Sequence, residues 1–206
     1  MAITYPLSLP STTRTLSQVS FKGRSVVGLS VSPFTLEQEV QNSMAEALAF
    51  DAALPPLIKA DGEEWVGWLL ALSGSQGTFL LGDPANPSPR GTWAGQSPLV
   101  NGASQTGKSL IIDGLTAGAT GKAGDWFQLG SGATTHLHKL TQGFTANGSG
   151  QATLDIFPRL RGSPADNAAI VLTNTKGLWR LASNDADWTI DLAITYGLKF
   201  SGIEAI

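Results

Sequence analysis

Cysteine is absent from the chain, which excludes disulfides, a thiolate zinc site and a cysteine nucleophile and leaves the redox compartment unmarked. Charge is scarce as well: 14% of residues are Asp, Glu, Lys or Arg, against roughly 25% in an average globular domain. The polar surface therefore falls to Ser, Thr, Asn, Gln and Gly, a composition that suits β-structure and subunit contact. With 13 Lys and Arg against 16 Asp and Glu, a net charge of -3, there is no basic stripe to hold a phosphate backbone, which speaks against tight nucleic-acid binding. No stretch approaches the roughly 18 apolar residues of a membrane span. Met1 to Pro10 lacks the basic and apolar regions of a secretory signal. The expectation is a soluble, unexported product with no membrane partner.

What the chain does have is turn chemistry. Gly 24 and Pro 11, set among 42% hydrophobic residues spread along all 206 positions, indicate a turn-rich chain that still buries a real core. Arg14 to Val31 reads as a hairpin with its turn at Lys22-Gly23. Glu37 to Val40 and Ala45 to Leu54 continue extended, with Glu46, Leu48, Phe50 and Ala52 on one face, and Pro55-Pro56 ends the run. A helix over about 61–73 follows, with Asp61 as N-cap and Glu64 completing a capping box. Trp65, Trp68, Leu69 and Leu72 form its core-facing stripe, and Gly74 suits its C-terminal stop. Thr78 to Leu81 reads as a short buried strand.

The segment Gly82 to Gly95, with Pro84, Pro87 and Pro89 and no apolar period, reads as an exposed connection and a domain boundary. Short strands are predicted beyond it at Ser109–Ile112, Asp125–Leu129, Thr134–Leu140, Gln151–Phe157 and Ala168–Thr173. Between them, Asp113-Gly114, Gly118, Gly121, Gly124 and Asn147-Gly148 supply tight turns. From Thr189 to Phe200 strict alternation, with Ala193 among the intervening positions, predicts one long half-buried strand. Asn184 to Asp187 reads as a hairpin turn before it. The chain is thus mainly β: residues 1–92 and 177–206 form a β-sandwich or split barrel carrying the helix, and 93–176 an inserted small β-barrel or β-sandwich.

Three features look chemical. Gly102-Ala103-Ser104-Gln105-Thr106-Gly107-Lys108-Ser109 matches the phosphate-binding pattern, with Gly102, Gly107, Lys108 and Ser109 at its defined positions. That chemistry needs a buried strand before the loop and a helix after it. Here Leu110-Ile111-Ile112 reads as a strand, so the match is taken as chance and no cofactor is expected. His136 and His138, two apart on a strand, point to one face and are candidate metal ligands, but a site needs more ligands than the chain's two histidines provide. Trp93, Trp126, Trp179 and Trp188 could stack a pyranose, and Trp93 and Trp126 are the candidate carbohydrate platforms, against the commoner use of large aromatics as core. No nucleophile elbow or metalloprotease motif is present, so no catalytic residue is assigned.

Leu54-Pro55-Pro56-Leu57, the capped helix, then Gly77-Thr78-Phe79-Leu80-Leu81-Gly82-Asp83-Pro84 and Lys122 to Gly130 together resemble the distal tail or minor tail proteins of long-tailed bacteriophages. The resemblance covers most of the chain and rests on structural motifs. It implies a non-enzymatic virion protein, assembled in the host cytoplasm, whose 1–92 and 177–206 portion forms a hexameric ring. That ring joins the tail tube protein to baseplate hub or fibre proteins and lets DNA pass without specific binding. The alternative is a carbohydrate-binding host-adhesion module of the tail tip.

Overall fold

The computed structural model describes residues 3–13, 15–192 and 194–206. The expected places of Arg14 at the head of the first hairpin and of Ala193 in the last strand lie outside the described residues. Among the described residues the fold is mainly β with one α-helix, and its strands lie in antiparallel sheets, one of them nearly closed and barrel-like.

In chain order the elements begin with β1 (Gln18–Val31), β2 (Gln38–Ala53), α1 (Lys59–Ala71) and β3 (Phe79–Leu81). Then come β4 (Leu99–Val100), β5 (Ser109–Asp113), β6 (Thr120–Gly121), β7 (Trp126–Leu129), a 3-10 turn at Gly132–Thr134, β8 (His136–Leu140), β9 (Phe144–Thr145), β10 (Ala152–Phe157) and β11 (Ile170–Val171). The chain closes with β12 (Gly177–Leu181), β13 (Trp188–Ile190) and β14 (Tyr196–Glu204). One sheet runs β1-β2-β14-β12-β3, with β13 also on β14, and a second runs β11-β7-β8-β10-β5-β4. The short pair β6-β9 stands apart.

The first sheet buries Phe50, Phe79, Trp179 and Phe200 against Trp65, Trp68 and Leu69 of α1 and Leu72 at its C-cap. The rings meet edge to face, as Phe50 and Trp179 do at 4.8 Å and 87°, a geometry worth about 0.5–1.5 kcal/mol per pair beyond burial. A second cluster gathers Trp93, Val100, Leu110, Ile112, Phe127, Leu140, Leu154 and Ile156. The two cores are not separate in chain terms, because Trp126 and Leu137, from the second sheet, lie in the first cluster and Phe157 packs against it.

Four local expectations are corrected. Lys22-Gly23 is no turn: Lys22 pairs with Ala49 and Gly23 with Leu48 inside an unbroken strand. Gly23 is there for close approach, since a Cβ would stand 3.0 Å from the Phe157 ring. Asp61 is not the N-cap. Leu57 exchanges both backbone hydrogen bonds with Tyr196 (3.0 and 2.9 Å), and the helix starts as soon as that bridge releases the chain, with Ile58 as N-cap and no side-chain cap. Asp61 sits instead in the first turn, where its charge faces the positive end of the helix dipole.

Thr189 to Phe200 is not one strand but a hairpin, β13 pairing with β14 in the register Trp188↔Leu198 and Ile190↔Tyr196. Asp191 makes the turn by accepting from Thr195 N (2.9 Å) and Thr195 Oγ1 (2.6 Å), and Ile194 takes a left-handed φ of 57°. Asn184 to Asp187 is accordingly no hairpin turn. β12 and β13 pair with the same strand, β14, and the residues between them form an excursion held where Asn184 Oδ1 accepts from Ser75 N and Ser75 Oγ.

Candidate assembly surface

The residues with a chemical look are spent on structure. After Lys108-Ser109 the chain enters β5, not a helix, so no row of helix-terminal amides faces a phosphate. The loop's groups are already engaged: Gly102 N donates to Asp166 (2.7 Å), Gln105 bonds Ile111 through both its amide atoms, and the Lys108 ammonium pairs with Glu46.

His136 and His138 do share a strand. His138 is buried, stacks on Phe127 at 5.3 Å, and its Nδ1–H donates to the Pro158 carbonyl at 2.9 Å. Burial pushes its pKa down to about 4, and burial also lowers that of His136; the Arg161 guanidinium adds to both shifts. On His136 the Glu204 carboxylate works against burial and outranks Arg161, and on His138 the Pro158 hydrogen bond does the same. Among the described residues no group of three or more His, Asp or Glu is placed to hold one.

A pH dependence follows from His138. It is neutral in the fold with a pKa of about 4 and titrates near 6.5 when unfolded. Below 6.5 the unfolded chain binds the extra proton, so stability is complete above that pH and is lost as pH falls toward 4. The loss is on the order of 3 kcal/mol. Thermal melts are expected to hold steady from pH 8 to 7 and then fall steeply to pH 4, with the His138 ring still in its neutral Nδ1–H form at pH 5.5 by NMR. A ring that titrates near 6.5 in the folded protein would remove this account.

The two candidate sugar platforms are interior. Trp93 is 0% exposed, and its indole N–H donates to Asp125 Oδ2 at 3.2 Å. Burial works against the charge of Asp125, but the amides of Lys122 and Arg90, the Trp93 indole and the Arg90 guanidinium outweigh it and hold the carboxyl below its usual range. Trp126, 4% exposed, donates to Asp83 Oδ2 (3.0 Å) and carries the Lys139 ammonium 4.2 Å above its ring. Neither ring offers a face for a pyranose to stack on. Both are corrected from candidate platforms to core. A surface groove of about 740 Å³ is lined in part by Asp51, Asp185, Asp187 and Lys199. Asp51 is taken by Lys22 and Ser201, which hold its carboxyl low.

What the sequence reading passed over is the far half of the β1-β2 hairpin. Beyond Ser25 and Glu46 the two strands leave the body as a ribbon, paired Val27↔Asn42, Leu29↔Val40 and Val31↔Gln38. Counting its turn, this arm reaches about 20 Å. Its two faces differ. Val27, Leu29, Val31 and Val40 share one face, with Asn42 and Gln38 opposite the two outer valines, while Val26, Gly28, Ser30, Glu39 and Gln41 share the other. Alternation along β1 puts the apolar set on the same side as Val19 and Phe21, which pack on the core. The apolar face thus runs out of the body with nothing over it: Leu29 is 59% exposed, Val40 62%, and Phe34 at the tip 94%.

The tip is shaped by local bonds rather than by packing: Ser32 N donates to Glu37 O (2.9 Å), Leu36 N to Ser32 O (3.0 Å), and Leu36 takes a φ of 59°. A lone two-stranded ribbon is marginal in water, and exposed apolar surface above about 300–600 Å² on a monomer marks an interaction site. Val27, Leu29, Val31 and Val40 on that face, with Phe34 and Leu36 at the tip, are all exposed and, at on the order of 100 Å² apiece, reach the top of that range.

A second apolar projection lies at the other end of the same sheet. β14 runs antiparallel to β2, with Lys199↔Ala53 and Ile203↔Ala49, so the β13-β14 turn points away from the arm. Ile190, Leu192 and Ile194 are exposed there. In comparison with known proteins, the chain matches no protein-family model and no curated protein.

Proposed function

We propose that this is a structural protein of a long-tailed bacteriophage tail, which assembles through its β arm into a hexameric ring and performs no bond-making chemistry. The ring would join the tail tube to the baseplate or tip and let DNA pass through its hole. The observation that carries the reading is the arm: a ribbon apolar on one face, continuous with the core side of the sheet and uncovered in the single chain. Apolar projections at opposite ends of one sheet favour head-to-tail contact, the kind that generates rings when the rotation closes. The tail assignment itself is supported by the resemblance of the double-proline turn, helix and Gly-Asp-Pro segment. Within the fold those motifs serve the scaffold: Asp83 closes its own turn on Ala85 N (2.9 Å) and also receives the Trp126 indole.

The alternative, a glycan-binding module resting on the inserted β segment and its tryptophans, loses Trp93 and Trp126 to burial, and Trp179 as well, while Trp188, outside that segment, is the exposed one of the four. Negative-stain microscopy of the purified protein is expected to show discrete rings with a central hole, and a C-terminal label is expected at the tail tip of virions. A protein that stays monomeric at high concentration and is missing from virions would defeat the proposal.

A further inference from the structure

The arm does not hinge freely on the body. Where β2 leaves the core its register slips between Ser25 and Val27 of the partner strand. Met44 takes a left-handed φ of 58°, with its amide on Asn42 Oδ1 (2.8 Å), and Ser43 Oγ donates to Val26 O (2.6 Å). A bulge of this kind bends a strand and leaves the direction of the outgoing segment open unless something fixes it.

The fixing groups come from the other sheet. Arg159, just after β10, donates from Nη1 to Met44 O (3.2 Å) and from its backbone amide to Glu46 Oε2 (3.1 Å). Lys108, just before β5, pairs with Glu46 Oε1. Glu46 is the first side chain of β2 to turn inward, and at 8% exposure its charge needs both partners. The two jaws are joined to each other, since Ile156 N donates to Lys108 O (2.9 Å) and Leu160 N to Gly107 O (2.8 Å). Two residues further on, Arg161 Nε meets Glu204 Oε1 at 2.9 Å, and Glu204 Oε2 accepts from Leu48 N at 3.0 Å, which extends the grip along β2.

We infer that Lys108 and Arg159, acting on Glu46 and Met44, form a latch through which the segment between β3 and β12 sets the angle of the arm. Lys108 and Arg159 are positioning residues, and the phosphate-loop look of Gly107-Lys108 is a by-product of a tight turn that delivers a lysine to β2. The latch belongs to the single chain; its effect on assembly rests on the arm reading above. An arm held at its docking angle avoids the loss in apparent affinity suffered by a segment that is only fractionally in its competent state.

Because the chain has no cysteine, nitroxide labels at Ser30→Cys on the arm and Ser163→Cys on the body report one distance by pulsed electron resonance. The labelled chain is diluted in unlabelled protein. The parent is expected to give a single narrow distribution, Lys108→Arg the same, and Lys108→Met with Arg159→Ala a broadened one. Circular dichroism and a cooperative melt check that the double variant is folded. An unchanged narrow distribution in the folded double variant would overturn the latch. If one conformer in ten remains competent, the concentration needed for assembly rises about tenfold in the double variant. Broadened distances with unchanged assembly would uphold the latch and count instead against the arm as the assembling element.

Discussion

Replacing Leu29 by Lys together with Val40 by Glu is expected to leave a folded monomer that no longer forms rings. The two residues lie directly opposite each other on the arm. Both point into solvent in the single chain, so the change removes nothing from either core. Surface substitutions of this kind ordinarily shift stability by no more than about 0.5 kcal/mol, and the opposite charges keep a favourable cross-strand pair. The docked state is different. Two apolar anchors at the middle of an interface contribute about 2 kcal/mol or more each when they act as hot spots, and burying a lysine or glutamate in their place adds desolvation. Together these correspond to a loss of roughly a thousandfold in association constant. Sedimentation or light scattering reads the assembly, and circular dichroism with thermal melting reads the fold. Rings formed at the parent's concentration would show that the arm is not the contact.

Trp93→Ala is the second large effect, and it separates a structural tryptophan from a sugar-binding one. Its side chain is fully buried in the second cluster, edge-on to Phe144 at 5.0 Å and hydrogen-bonded to Asp125. Truncating such a residue costs about 3–5 kcal/mol for burial and cavity. Asp125 also loses a donor that helps keep its charge inside the protein. Limited proteolysis is expected to cut within residues 93–176 in the variant and not in the parent, with a matching drop in melting temperature. Trp188→Ala, at a ring 40% exposed on the sheet edge, is expected to change stability by no more than about 0.5 kcal/mol. A Trp93→Ala protein as stable as the parent, having lost only glycan binding, would restore the reading set aside above.

Much of this architecture was legible because side-chain period survives in the folded chain. Glu46, Leu48, Phe50 and Ala52 do line one face of β2, and Trp65, Trp68 and Leu69 of α1, with Leu72 at its C-cap, do form a buried stripe. The strands expected at Ser109, Asp125, Thr134, Gln151 and Ala168 all have counterparts within a few residues. Two of the errors, at Asn184 to Asp187 and Thr189 to Phe200, share a cause, which is that alternation does not reveal where a strand folds back. Thr189 to Phe200 alternates throughout, yet its turn is made by Asp191 and Thr195 with a β-branched Ile194 at positive φ, a conformation that composition argues against. Lys22-Gly23 failed in the opposite direction, since a glycine that admits the Phe157 ring looks in sequence like one that makes a turn.

The arm was hidden for a different reason. Its apolar residues were read as ordinary strand residues, because a sequence states which face is apolar and not whether anything covers it. The ionic grip of Glu46 on Lys108 spans 62 positions, and no local pattern announces a pair so far apart.

The chain departs from the first sheet and rejoins it at almost one point: a Cβ on Gly82 would collide with the Thr175 carbonyl. By that geometry the intervening stretch looks like a cassette that a short splice could remove or exchange. The packing says otherwise, because Trp126 and Leu137 fill the neighbouring core and Lys108 and Arg159 hold the root of the ribbon. A transplanted replacement would have to bring a tryptophan, a leucine and two cations at matching heights, so variation among related chains is expected on the far side of this segment while the side against β2 stays constrained.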